Sequence, residues 1–141
     1  MAEKLFEITG VDELQKALRM KVRPACKVAM DELMEDLKRC ASGFTPIDTG
    51  HLQQSGRVVV RETKQQVVGE VIFETTADAY DYALRMHEGV YTPRKQNSGG
   101  KSKFGTVSWR TGSKYLSEPF RQLLPSYIDH VAKVVEERIN K

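Results

Sequence analysis

Residues 57–73 read RVVVRETKQQVVGEVIF, and this stretch decides the fold class. Two runs rich in β-branched residues, 57–61 and 67–73, lie on either side of the polar segment 62–66. Runs of this kind, separated by a short polar segment, are typical of two strands joined by a turn. We therefore predict an antiparallel hairpin, which gives an α+β fold if helices flank it.

A long amphipathic helix is predicted before the hairpin. Thr9 is followed three positions later by an acid, as is typical of an N-cap, so the helix is expected to begin near Val11. Apolar residues then recur every three or four positions. Pro24 lacks an amide hydrogen and predicts a kink that divides the helix into two pieces, and Gly43 predicts its end near Ser42.

The chain after the hairpin is predicted to contain a second long helix. Residues 80–88 have helical spacing, with a strand as the alternative, and residues 106–109 are a candidate for a further strand. A bend is expected at Pro125 in the last helix. The apolar face of that helix is predicted to consist of Phe120, Leu124, Tyr127, Ile128, Val131, Val135 and Ile139.

These elements predict one α+β domain over residues 1–141, a length typical of a single domain. We expect an antiparallel β-sheet of three to five strands. It is packed with a long kinked N-terminal helix and a C-terminal helix, and a long basic loop completes the domain.

The composition is that of an ordinary globular chain, with 40% hydrophobic and 29% charged residues. No apolar run approaches the ~20 residues of a membrane span, and the first residues lack the features of a signal peptide, so we expect action in the compartment of synthesis. The net charge of +3 is too small by itself to indicate nucleic acid. Cys26 and Cys40 fall on one predicted helix, ~21 Å apart at ~1.5 Å per residue, so free thiols are expected.

The strongest candidate for catalysis is the string Asp48-Thr49-Gly50, because aspartic proteases pair two such carboxylates around one proton. That use needs an apolar strand before the string, whereas here Pro46 and Ile47 follow a long helix. We prefer a turn in which Asp48 accepts backbone hydrogen bonds and Gly50 supplies permissive dihedral angles. A dimeric aspartic protease stays open as a further alternative.

Other catalytic and metal-binding motifs fail on their spacing. The string GGKS at residues 99–102 ends like a phosphate-binding loop, but Lys95 stands where such a loop needs its first glycine. The three histidines are scattered, and His87 has no second histidine at helical spacing. We therefore predict no catalytic residue, no metal site and no cofactor, and we do not expect an enzyme.

A basic, glycine-rich loop with a mobile tip is predicted at residues 89–114, where no acid occurs. Basic residues interleaved with aromatic ones can follow a phosphate backbone and stack on bases. The same residue types are enriched at protein interfaces, and we favour an interface because no nucleic-acid recognition motif accompanies the loop. A small nucleic-acid-binding module and a solvated loop without a partner stay as alternatives. The residues assigned to this assembly or DNA-facing surface are Tyr91, Arg94, Lys95, Lys101, Lys103, Phe104, Trp109 and Arg110.

Four strings occur here in an order that resembles one known family. They are Ile8-Thr9-Gly10-Val11-Asp12-Glu13-Leu14, Thr45-Pro46-Ile47-Asp48-Thr49-Gly50-His51-Leu52 with Ser55, Tyr82-Ala83 with His87-Glu88-Gly89, and Lys114-Tyr115-Leu116 with Pro119-Phe120. The family is that of the head–tail joining or tail-completion proteins of long-tailed bacteriophages, also called neck or minor capsid proteins. The chain departs from the family pattern at His51, where an arginine or lysine often stands, and in the length of the loop after Gly89.

The resemblance implies a curved antiparallel sheet flanked by the first and last helices. It implies a ring of subunits, expected to be hexameric. The ring would lie in the virion between the head connector or stopper and the tail tube or tail terminator. Assembly is expected in the host cytoplasm. In such a ring the loop at residues 89–114 would contact neighbouring subunits, and its charge would face the DNA in the channel. No catalysis is implied. The residues with an implied structural role are Pro46, Asp48, Thr49, Gly50, Leu52, Tyr82, His87, Glu88, Tyr115, Leu116, Pro119 and Phe120.

Overall fold

The fold is α+β, as predicted, in a computed structural model that describes residues 11–47, 50–64, 66–75, 82–93 and 95–140. The elements in chain order are α1 (Val11–Ser42), α2 (His51–Gln54), β1 (Arg57–Glu62), β2 (Val67–Ile72), α3 (Tyr82–Glu88) and α4 (Ser117–Ile139). Among these residues no helix is long and apolar enough to cross a membrane. The first family string lies largely outside the described residues, as do residues 76–81.

Helix α1 runs unbroken from Val11 to Ser42 with Pro24 inside it. The predicted division into two pieces is therefore wrong, and a kink is not confirmed. The proline removes one backbone hydrogen bond, but Pro24 and Met20 are both exposed, so water can satisfy the freed carbonyl of Met20. The predicted end at Ser42 is confirmed.

The predicted hairpin is confirmed, with β1 and β2 paired antiparallel from Arg57↔Ile72 to Glu62↔Val67. One face packs on α1, where a Cβ on Gly69 would lie 2.6 Å from side-chain atoms of Met30 and Met34. The glycine therefore allows the helix to approach the sheet closely.

The described residues form a sheet of two strands, and the larger predicted sheet of three to five strands is not confirmed. Residues 106–109 do not form the additional strand that was suggested. Instead the Ser108 N–H donates to Oε1 of Gln122 at 2.9 Å, and Nε2 of Gln122 donates to the Ser108 carbonyl at 2.9 Å. One side chain of α4 thus takes the place of a partner strand for this residue.

Helix α4 lies antiparallel on α1, since Nε of Arg138 donates to the Lys21 carbonyl while Tyr127 reaches Asp36. Its buried residues are Pro119, Leu123 and Tyr127. The predicted inward face is therefore partly wrong, because Phe120, Leu124 and Ile128 are exposed. The helix continues through Pro125, which is exposed.

Helix and strand were both expected alternatives for residues 80–88. The structure has a short helix there, α3, from Tyr82 to Glu88. It sits over Tyr115, which is 2% exposed and donates from its hydroxyl to the Ala83 carbonyl at 2.8 Å. The ring of Phe73 meets the Tyr115 ring edge-on at 5.4 Å. Tyr115 thereby joins α3 to the hydrophobic core.

Candidate functional site

An open apolar groove of about 790 Å³ lies between α1, β2 and α4. Helix α1 contributes Met30 and Leu33, and β2 contributes Val71. From α4 the lining includes Phe120, Leu124 and Ile128.

The α4 side of this groove is unusual because its large apolar side chains face solvent. Phe120 and Leu124 are each 39% exposed and Ile128 is 58% exposed. They are four residues apart and so form one row on the helix, next to the buried row that contains Leu123 and Tyr127. Because contiguous exposed apolar surface commonly marks an interaction site, the groove is a candidate docking surface.

The described residues of the basic loop pack against the rest of the domain. Nδ2 of Asn97 donates to the carbonyls of Ser42 at 2.9 Å and Thr45 at 3.1 Å. The N–H of Gly99 donates to the Gly43 carbonyl at 3.0 Å. The loop thus satisfies backbone carbonyls at and just beyond the end of α1. Mobility of its tip stays a prediction.

A buried carboxylate, Asp36, fixes the next part of the loop. Its Oδ2 accepts from the Ser102 hydroxyl at 2.5 Å and the Tyr127 hydroxyl at 2.7 Å. Its Oδ1 accepts from the Lys103 N–H at 2.9 Å and from Nη2 of Arg39 at 3.1 Å. Asp36 therefore joins α1, the loop and α4.

The environment of Asp36 also sets the ionisation of its neighbours. Burial opposes the charge, but the hydrogen bonds from Ser102, Lys103, Tyr127 and Arg39 outweigh it and lower the pKa of Asp36. Burial and the hydrogen bond to Asp36 raise the pKa of Tyr127, so the phenol keeps its proton. Burial, with the nearby charge of Asp36, raises the pKa of the Cys40 thiol to about 11. A buried thiol of that pKa is a poor nucleophile at neutral pH.

Sequence reasoning missed Asp36, although a signal existed. The residue is an acid between Leu33 and Leu37 and four positions before Cys40, inside the apolar row of α1. An acid at such a position needs buried partners, which the loop supplies. Both expected thiols are free, with Cys40 buried and Cys26 partly buried.

The described basic residues of the predicted surface, Lys95, Lys101, Lys103 and Arg110, are exposed, and the surroundings of two of them are known in detail. Lys101 lines a recess of about 760 Å³ together with Lys38, Arg39 and Glu35 of α1. Arg110 instead lies over the ring of Trp109, with 4.8 Å from its guanidinium carbon to the ring centroid. Arg94 lies outside the described residues.

The aromatic residues of the predicted surface are partly buried within the domain. Nε1 of Trp109 donates to the Ser113 carbonyl at 2.9 Å, and the Tyr91 hydroxyl donates to the Met86 carbonyl at 2.6 Å. The ring of Phe104 meets the ring of Tyr127 edge-on at 5.7 Å. Lys95 and Lys103 are exposed. The aromatic side chains therefore anchor the loop, and the lysines are the part that faces solvent.

The structure brings together two of the family strings that are distant in sequence. Nδ1 of His87 donates to Glu88 at 3.0 Å, and the Ser117 N–H donates to Nε2 of His87 at 3.2 Å. Lys114 forms an ion pair with Glu88, and the rings of His87 and Tyr115 lie 5.1 Å apart. The hydrogen bond from Lys114 lowers the pKa of Glu88.

The remaining motif residues that the structure describes lie in the core, at its edge, at the groove or in a turn. Pro46 and Pro119 are buried, and Leu52 is 2% exposed. Tyr82 and Leu116 pack as partly buried side chains against the core, while Phe120 is the exposed residue at the groove. Gly50 has a φ of 87°, which favours glycine, and it precedes α2. Asp48 and Thr49 lie outside the described residues.

The described residues contain no group of three histidine, cysteine or acidic side chains that could hold a metal ion. The loop packs around a single buried carboxylate, and its oxygens accept four hydrogen bonds. The arrangement is suited to holding three segments together.

Comparison of the chain with protein-family models, curated proteins and solved structures gives no match.

Proposed function

We propose that this protein is a structural virion assembly protein, a tail-completion or head–tail joining subunit that forms a ring between the head connector and the tail tube. The observation that carries the proposal is the open apolar groove, whose α4 side chains are exposed in the single subunit. A ring subunit needs such surfaces, because each contact between subunits removes apolar area from water. The contact between the His87 and Tyr115 strings is consistent with the family resemblance.

The proposal includes the finer features of the family fold. Each strand of the described hairpin has one outer edge, and an open edge is a template for pairing with a strand from another chain. We propose that the sheet reaches three to five strands by pairing with strands of a neighbouring subunit. A kink in α1 belongs to the same proposal.

The proposed partners are further copies of the chain, in a ring expected to be hexameric, and the connector or stopper and tube or terminator proteins on either side. The proposed location is the virion, after assembly in the cytoplasm of the host bacterium. The role requires neither a cofactor nor catalysis.

The test is tail attachment by particles assembled without the protein. We expect full heads and free tails in electron micrographs, with joining restored when the purified protein is added. Ile128→Glu, which places a charge in the exposed row of the groove, should not restore joining. Val28→Glu is the matched control, since Val28 is 66% exposed on α1 and is not part of the groove lining. Tailed particles formed without the protein would refute the proposal.

A nucleic-acid-binding module is the second candidate, and one observation favours it. Lys101 of the loop lies in the same recess as Lys38 and Arg39 of α1. Glu35 also lines the recess and pairs with Lys38 at 3.2 Å, so three cations and one acid give it a positive balance. Binding through phosphates predicts micromolar affinity for double-stranded DNA that falls steeply as salt increases. The combined change of Lys38 and Lys101 to alanine should then weaken binding, whereas Lys133→Ala on the exposed part of α4 should not. Binding that is insensitive to salt would contradict this candidate.

A further inference from the structure

We propose that the apolar groove binds the first ten residues of α1 from a second copy of the chain. These residues, 11–20, are called the α1 arm below. The inference rests on the proposed ring and specifies the contact between neighbouring subunits, which the resemblance and the comparisons leave open.

The arm lies N-terminal to two described contacts that α1 makes with α4 and with the hairpin turn. The last turn of α4 meets α1 at Lys21, where Nε of Arg138 reaches the backbone carbonyl. The hairpin turn meets it at Arg23, whose Nη1 donates to the Thr63 carbonyl at 3.0 Å. Before these points Lys16, Ala17, Arg19 and Met20 are all exposed, Met20 by 64%.

The arm has the sequence pattern and length that the groove requires. Its apolar positions Val11, Leu14 and Leu18 follow the spacing by which a helix anchors itself in an apolar groove. At ~1.5 Å per residue the arm is ~14 Å long, and the exposed row from Phe120 to Ile128 spans ~12 Å. One arm therefore covers the exposed row of α4.

The occupant must come from another molecule. The arm and the groove residues Met30, Leu33 and Leu37 belong to the same unbroken helix. A continuous helix cannot fold back on itself, so the arm is held ~15 Å or more along the axis from its own groove.

This contact joins two different surfaces, the arm of one copy and the groove of the next. Such a heterologous contact leaves one free arm and one free groove at the ends of every chain of subunits, so association continues beyond a dimer and ends in a closed ring when the rotation between neighbours closes. A contact of α4 with α4, in contrast, would stop at a dimer.

Because the arm and the groove are different surfaces, each can be inactivated separately and the two variants can then be mixed. Analytical ultracentrifugation at protein concentrations up to millimolar measures their association. Leu14→Glu inactivates the arm, and Ile128→Glu inactivates the groove while keeping its partner surface intact. Leu14 lies seven residues before Lys21, where Arg138 of α4 reaches α1, and Ile128 is 58% exposed. Circular dichroism will verify that both variants fold. Val28→Glu is the control for added charge.

We expect the wild type and Val28→Glu to grow beyond a dimer as concentration rises. Each inactivated variant alone should associate at least about 100-fold more weakly, because a charge is buried without a partner. An equimolar mixture of the two should form a 1:1 dimer and nothing larger, because it contains one intact arm and one intact groove per pair.

Three results would overturn the inference. An assembly by Leu14→Glu as strong as that of the wild type would exclude the arm while leaving the ring proposal standing. A mixture that stays monomeric would exclude the arm–groove pairing. A wild type that stays monomeric at every concentration would exclude the contact in isolation, and the ring proposal would still be decided separately by tail attachment.

Discussion

At the scale of single residues, Asp36 has the greatest effect on how the chain is held together. It is 1% exposed and accepts hydrogen bonds from Arg39, Ser102, Lys103 and Tyr127. We expect Asp36→Ala to lower the free energy of unfolding by about 3 kcal/mol, because buried donors lose a charged acceptor. Urea denaturation measures this loss.

Two comparisons sharpen that experiment. Arg39 is 53% exposed, so Arg39→Ala should cost less than about 1 kcal/mol. The folded state lowers the pKa of Asp36, so its stabilising effect is present above the unfolded pKa of about 3.9 and is lost as pH falls below it. The difference between wild type and Asp36→Ala should therefore shrink between pH 5 and pH 3. A constant difference would show that the charge is not what stabilises the site.

Gly100 illustrates a different constraint, the direct contact of two backbones. A Cβ at this position would lie 1.7 Å from the carbonyl oxygen of Cys40, which leaves no room for alanine. We expect Gly100→Ala to move the loop and to destabilise the fold by about 2 kcal/mol. Gly105→Ala is the control, because its nearest neighbour is a flexible side-chain atom of Leu123 at 3.3 Å. Equal thermal stability of the two variants would contradict the close packing of the loop on α1.

At the scale of elements, the two faces of α4 give a prediction from adjacent leucines. Leu123 is 1% exposed and Leu124 is 39% exposed. Leu123→Ala should cost about 3 kcal/mol of stability because it leaves a cavity in the core, and Leu124→Ala should cost less than about 1 kcal/mol. Chemical denaturation of the two variants measures the contrast. A reversed order would mean that α4 packs on α1 through its other face.

The elements also show what the sequence could predict and what it could not. The end of α1 at Ser42 and the hairpin follow local patterns, so periodicity and glycine placement were enough to predict them. For residues 80–88 the sequence left helix and strand open, and only the structure shows the helix Tyr82–Glu88. The buried face of α4 was misjudged because both of its rows are apolar and only the docking on α1 distinguishes Leu123 from Leu124. Apolar spacing reports a helix face without reporting its partner.

Sequence reasoning did not show how the loop is anchored, for a related physical reason. Its glycines, lysines and missing acids are typical of a solvated segment, and the single acid that holds it, Asp36, is 66 residues before Ser102. Local composition cannot reveal such a distant partner. The string at residues 99–102, which ends like a phosphate-binding loop, has a structural role that its sequence does not reveal. Gly100 makes a close backbone contact, and the Ser102 hydroxyl donates a hydrogen bond to Asp36.

At the scale of the whole molecule, the loop acts as a strap that ties the end of α1 to α4, while the groove and the α1 arm stay open. The strap uses the side chains of Asn97, Ser102 and Phe104. The proposed contact at the groove would therefore not require the strap to unfold. The strap and the proposed arm contact are separate features, and experiments can separate them.

Limited proteolysis by trypsin tests the strap against the earlier expectation of a mobile tip. Lys101 and Lys103 are exposed, yet a protease needs a stretch of unfolded chain, so we expect slow cleavage there in the wild type. Asp36→Asn keeps the shape of the side chain but removes its charge, and it should accelerate cleavage at both lysines about 10-fold. Cleavage after Lys64 in the hairpin turn is the internal control, since this exposed residue has no contact with Asp36 and its rate should not change. Rapid cleavage at Lys101 in both proteins, measured by mass spectrometry of the fragments, would show that the tip opens freely in spite of its hydrogen bonds.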